Sequence, residues 1–161
     1  MTINEYNRCV DDFSDAIYRF LLKNSRNVEV ARDLVQDSFL KLWEKRKNVD
    51  YGKSKSYLFT TAYHTLIDHT RKFDHRQTEN SFELDTATTE HGYSDLKEIL
   101  EFAVEKLPAI QRSVVLLRDY EGYSYKEIGE ITELTEAQVK VYIYRARLFL
   151  KKFIVSPEMV I

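Results

Sequence analysis

The C-terminal part of the chain gathers the side chains best suited to nucleic-acid chemistry. Between Gln138 and Lys152 stand five basic residues, Lys140, Arg145, Arg147, Lys151 and Lys152, and no acidic one. At about 100° per residue, Val139, Ile143, Ala146 and Leu150 share one stripe of a helix. Ala137, Gln138, Lys140, Val141, Tyr144, Arg145 and Leu148 fall on the opposite arc. Laid in a major groove, such an arc can read bases: Lys and Arg donate to guanine, Gln pairs with adenine, and apolar atoms meet thymine methyls. A solvated basic face over an ordinary core would use the same residues, so the helix alone does not decide.

Covalent and metal chemistry find no comparable footing. The sequence holds no nucleophile beside a base, no Gly-rich phosphate loop and no metal triad, so no enzyme, no catalytic residue and no cofactor are expected. His64, Asp68 and His69 come closest to a metal site. Only His64 and Asp68 share a helix face, and two ligands do not hold zinc. Cys9 is the single cysteine, which excludes a disulfide framework and suits a small buried residue. No N-terminal signal segment is read, and the longest wholly aliphatic run, residues 114–117, is far too short to cross a bilayer. A cytoplasmic protein without membrane insertion is expected.

Positioning the basic arc requires a particular pair of elements. Ser124 with Glu127, then Thr135 with Gln138, are two capping boxes, each a hydroxyl answered by a side chain three residues on. Two short helices therefore start at defined places, with only Thr132, Glu133 and Leu134 free to turn the chain. That is the connection of a helix-turn-helix, and with it the groove-reading interpretation becomes the better one. The net charge of −2 does not oppose it, because charge is segregated. Residues 74–95 carry six acids against one Arg, while the last helix is basic.

The rest of the chain is helical in pattern. Hydrophobic residues at 43% and aromatics at 13% exclude general disorder, and four Gly and two Pro leave few interruptions. Tyr6, Cys9, Val10, Phe13, Ile17, Phe20 and Leu21 recur at helical intervals and predict a first helix with one broad buried face. A second helix follows the cap Asn27 and runs to about Lys47. Val28, Ala31, Val35, Phe39 and Leu42 form its inner stripe; Glu29, Asp33, Gln36, Asp37, Leu40, Trp43 and Glu44 form its outer arc. Glu29, Asp33 and Asp37, stacked four apart, oppose the helix by roughly 0.2–0.5 kcal/mol a pair. An exposed Trp rimmed by charge has the composition of an interface hot spot; equally, Trp43 could cap the core beneath solvated acids.

A polar loop over residues 48–56 precedes a third helix in which Leu58, Ala62 and Leu66 face inward. Tyr57, Tyr63 and His64 stand above a basic end at Arg71 and Lys72. Rings interleaved with cations suit a single strand, whose bases stack while its phosphates meet charge, although aromatics at this spacing are more often core. From Phe73 to Ser94 the apolar pattern stops in an acidic stretch that reads as a linker. Helical spacing resumes at Leu96, Pro108 fits the first turn of a further helix, and Gly122 ends it. The expected fold is all-α: two small helical domains joined by an acidic flexible linker, the second a four-helix unit with the helix-turn-helix.

The order of these parts resembles the two-domain sigma factors of bacterial RNA polymerase, the extracytoplasmic-function (ECF) group of the sigma-70 family. ARDLVQDSFLKLWEK (residues 31–45) is similar to the family's polymerase-clamp helix, and SYLFTTAYHTLIDHTRK (residues 56–72) to its promoter-melting helix. LPAIQRSVVLLRDYEGYSYKEIGEITELTEAQVKVYIYRAR (residues 107–147) is similar to the domain that reads the upstream promoter element. The resemblance implies a region 2-like domain over residues 1–73, a linker over 74–94, a region 4-like domain over 95–154 and a tail over 155–161.

It further implies that Asp33, Gln36, Asp37, Leu40 and Trp43 dock on the clamp coiled coil of the beta prime subunit of core RNA polymerase, with the beta flap as a second contact. The loop over residues 48–56, with Tyr57, Thr61 and His64, would cup a flipped base of the minus-10 element, and Arg71 and Lys72 would hold phosphates. Gln138, Lys140, Val141, Tyr144 and Arg145 would face the minus-35 element, with Arg147 on phosphate. An anti-sigma factor is an expected partner beside promoter DNA. The sequence departs from the family pattern at Tyr57, where Trp is usual, at His64, where Asn is usual, and at Glu133 and Ala137, where Gly is frequent. The alternative is a helix-turn-helix repressor or activator that does not bind core polymerase; an acidic outer arc disfavours self-pairing.

Overall fold

The structure, a computed structural model, describes residues 1–79 and 96–155. Among the described residues there is no strand. Seven α-helices run in the order α1 (Ile3–Ser25), α2 (Val28–Lys45), α3 (Ser54–Glu79), α4 (Leu96–Lys106), α5 (Ala109–Val115), α6 (Tyr125–Thr132) and α7 (Glu136–Val155). The first three pack on one another, and α4 to α7 form the second helical domain.

Local chemistry fixes most of the helix starts. Thr2 closes a capping box with Glu5 ahead of α1, and Asn27 Oδ1 accepts from the Val30 amide ahead of α2. Ser124 and Glu127 close the box that opens α6. Thr135 Oγ1 accepts from the Gln138 amide at 3.1 Å while Gln138 Oε1 accepts from the Thr135 amide at 2.9 Å. Each box satisfies orphan donors of the first turn. The chain between α2 and α3 tightens into two 3-10 turns, Arg46–Asn48 and Tyr51–Lys53.

Three local expectations are corrected. Val28, placed on the inner stripe of α2, is 45% exposed; as the first helical residue it precedes the turn that meets α1. Leu34 and Ser38 are buried on that face instead, and Ser38 Oγ donates to the Leu34 carbonyl at 2.7 Å. Pro108 stands one position earlier than expected, at the N-cap of α5. Helix α3 continues to Glu79, into the segment read as linker; residues 80–95, which hold the rest of it, lie outside the described residues. A π-helical turn over Leu116–Tyr120 extends α5 before Gly122, at φ +76°, ends the run.

The two domains share one core. Its buried side chains run continuously from Cys9, Ile17 and Phe20 through Leu58 and Phe59 to Val114, Leu117, Tyr123 and Ile128. Ring pairs mark the route: Phe20 meets Phe59 at 5.7 Å, and Phe59 meets Tyr123 at 5.3 Å, both edge-on. Helix α3 is thus packed by α1 and α2 on one side and by α6 on another.

Candidate nucleic-acid and partner interfaces

Helix α7 owes its position to the turn before it. The Glu133 and Leu134 amides both donate to the Gly129 carbonyl, so the chain folds back directly over Gly129. A Cβ there would stand 2.7 Å from the Leu134 carbonyl oxygen; only glycine admits this approach. Glu133 is left-handed at φ 60°, a conformation that costs a non-Gly residue roughly 1–2 kcal/mol. The turn itself is Glu133 to Thr135, because Thr132 completes α6, with its hydroxyl donating to Ile128.

From that turn α7 presents its two faces as the pattern requires. Val139, Ile143 and Ala146 are buried, and Gln138, Lys140, Val141, Tyr144, Arg145 and Leu148 are exposed, Tyr144 at 68%. The cations are partly engaged from within. Lys140 Nζ stands 3.8 Å from Glu136 and over the Tyr125 ring. Arg147 is held by Asp119 through two hydrogen bonds, at 2.6 and 3.3 Å, and this bonding raises its pKa. The Arg118 guanidinium stacks on the same Tyr125 ring at 4.5 Å.

Helix α2 offers a different surface. Asp33, Gln36, Asp37 and Leu40 are exposed, Leu40 at 55%, and Asp33 and Asp37 make no ion pair among the described residues. Trp43, for which the pattern allows either an exposed contact or a cap on the core, is half-buried. Tyr6 packs edge-on against its ring at 4.9 Å and the Arg46 guanidinium stacks on it at 3.8 Å. Gln36, Leu40 and Trp43 line a groove of about 410 Å³ whose other wall is Tyr6, Val10 and Ser14 of α1. The contribution of α1 was missed. The sequence pattern marks Tyr6 only as a packing residue, yet its hydroxyl reaches across to donate to the Phe39 carbonyl at 3.0 Å.

On α3 the residues expected at a strand are placed unequally. Tyr57 and His64 are half-buried, Arg71 and Lys72 are exposed, and Thr61 is buried. Its carbonyl accepts from Thr65. The neighbouring Tyr63 is buried, which pushes its hydroxyl pKa up, as does Glu133. Glu133 Oε1 itself comes within 3.6 Å of His64 Nε2. No group of three or more His, Cys, Asp or Glu that could hold a metal occurs among the described residues, and no described helix is long and apolar enough to cross a membrane.

Two helical domains, one built on an acid-rimmed groove and one on a basic helix-turn-helix, define a chain of the sigma-70 type. Residues 9–76 match sigma-70 region 2, and residues 97–150 match sigma-70 region 4. The chain is 30% identical over 158 residues to the ECF RNA polymerase sigma factor SigM of Bacillus subtilis (strain 168), covering 94% of each. It is 27% identical over 162 residues to SigW of the same organism, covering 89% of this chain and 85% of the relative. Its fold is that of the sigma factor RpoE of Bartonella quintana, solved in complex with the anti-sigma factor NepR. The TM-score is 0.81 at 24% identity, over 96% of this chain and 99% of the other.

The protein belongs to the ECF sigma factors. It directs promoter-specific initiation by RNA polymerase, and the region 2 match sets aside a repressor or activator that works without polymerase.

Proposed function

We propose a division of labour in which residues 1–73 bind polymerase and the minus-10 element, residues 74–94 connect, and residues 95–154 bind the minus-35 element. The groove between α1 and α2 takes an apolar side chain of the beta prime clamp coiled coil, with Asp33 and Asp37 meeting its cations and Gln36, Leu40 and Trp43 supplying the contact area. Tyr57 and His64, with Thr61 behind them, form the wall against which an unstacked minus-10 base rests, and Arg71 and Lys72 hold its phosphates. Gln138, Lys140, Val141, Tyr144 and Arg145 read base edges of the minus-35 element. Arg147 exchanges Asp119 for a phosphate.

The mechanism is binding energy alone, so the chain is a non-enzymatic factor acting in the cytoplasm. An anti-sigma factor, the kind of partner named for the Bartonella sigma factor, would act by covering these faces. One observation carries the proposal: an unpaired acidic rim on an open apolar groove stands in the same chain as an exposed basic helix with buried supports. Run-off transcription with purified core polymerase tests it. Transcripts should start at defined promoters only when the chain is added; the same starts without the chain, or none with it, would reject it.

A further inference from the structure

The face of α7 assigned above to base edges is less polar than its composition suggests. At about 100° per residue, Ala137, Val141, Tyr144 and Leu148 form one exposed stripe along the helix. Val141 is 45% exposed, Tyr144 68% and Leu148 40%. Leaving such a row in water forgoes burial that a partner surface would supply. Cations border the stripe on both sides, Lys140 and Arg147 on one, Arg145 and Lys152 on the other, all exposed. That arrangement suits a major groove about 12 Å wide, whose floor of base edges lies between two rows of phosphates.

The polar groups of this face are largely committed inside the protein. Gln138 Oε1 accepts from the Thr135 amide at 2.9 Å and from its hydroxyl at 3.2 Å, which occupies both lone pairs of the carbonyl oxygen. A glutamine held this way cannot make the two-point contact to adenine, which needs that oxygen as acceptor beside the amide donor. Lys140 is drawn toward Glu136 and the Tyr125 ring, and Arg147 toward Asp119. Arg145 makes no ion pair among the described residues. What remains free to meet bases is apolar surface and one guanidinium.

We propose that α7 reads its promoter element chiefly through thymine methyl groups: Val141 and Tyr144 pack on the methyls of neighbouring A·T pairs, and Arg145 supplies the directional contact, to a guanine. The thymine methyl is the apolar group that the major groove offers, and it lies where cytosine and uracil carry only hydrogen. From Ala137 to Tyr144 the stripe runs about 10 Å, or about three base pairs, so the methyl-read block is short. Methyl reading of this kind rests on the minus-35 assignment above and names what that contact discriminates.

The full chain, assembled on core polymerase, first selects its preferred upstream element from duplexes randomised there. The selected duplex is then resynthesised with deoxyuridine for thymidine, one position at a time, and with each T·A pair replaced by cytosine or 5-methylcytosine opposite guanine. Within a block of about three base pairs, each lost methyl should weaken binding about fourfold, and 5-methylcytosine should bind better than cytosine at the same position. Val141→Ala and Tyr144→Ala, both at exposed positions, should each bind the thymine element about fourfold less tightly and no longer distinguish uracil from thymine at one of those positions. Affinity indifferent to every uracil would overturn the methyl reading, as would a uracil penalty that survives both substitutions. Selection that enriches no upstream element would instead reject the minus-35 assignment, and the methyl reading with it.

Discussion

The faces of α2 and α7 are oppositely charged, and they also differ in how their charges are kept. On α7 two of the cations already have internal anions, Glu136 for Lys140 and Asp119 for Arg147. On α2 the acids Asp33 and Asp37 have no partner among the described residues, although they stand one turn apart. A reading face with provisional partners can exchange them for phosphates at little net cost, and screening lets it slide and release. An acidic face left unpaired beside an apolar groove gains most from a partner of fixed, complementary shape. The first arrangement favours exchange, the second a durable grip.

Breaking the grip should have the largest effect. Asp37→Lys, measured by co-migration with core polymerase, should weaken binding by about 2 kcal/mol or more while the helical circular dichroism is unchanged; duplex binding should survive. Gly129→Ala comes next. Its Cβ would meet the Leu134 carbonyl at 2.7 Å, backbone that cannot step aside, so thermal denaturation should show a loss of about 1–3 kcal/mol, with duplex affinity falling as α7 tilts.

Lys140→Ala should cost about 1–3 kcal/mol in upstream-element binding and lower the slope of log affinity against log salt by about one, leaving polymerase binding intact. Asp119→Asn should have the smallest effect and the opposite sign. Freed from its ion pair, Arg147 should bind duplex DNA more tightly by about 0.5 kcal/mol in an anisotropy titration. A loss of affinity instead would show that Asp119 orients Arg147 rather than restraining it.

What could be seen from the sequence follows the range of the interactions involved. The helix-turn-helix was legible because its determinants are three residues apart: Ser124 with Glu127, Thr135 with Gln138. The strained Glu133 could be anticipated from its type at a turn. Gly129 could have been flagged as a glycine inside an apolar helical pattern, but its reason, the returning Leu134 carbonyl, lies in the folded turn. Trp43 stayed open between the surface and the core because the ring that half-buries it, Tyr6, belongs to another helix. The junction between the two domains was not legible at all. Asn24 and Ser113, hydrogen-bonded across it, are 89 residues apart, and neither carries any local mark of the other.

The continuous core from Cys9 to Ile128 has a calorimetric corollary. Halves that bury the same side chains lose them together, so heating the isolated chain should give a single cooperative endotherm in place of two.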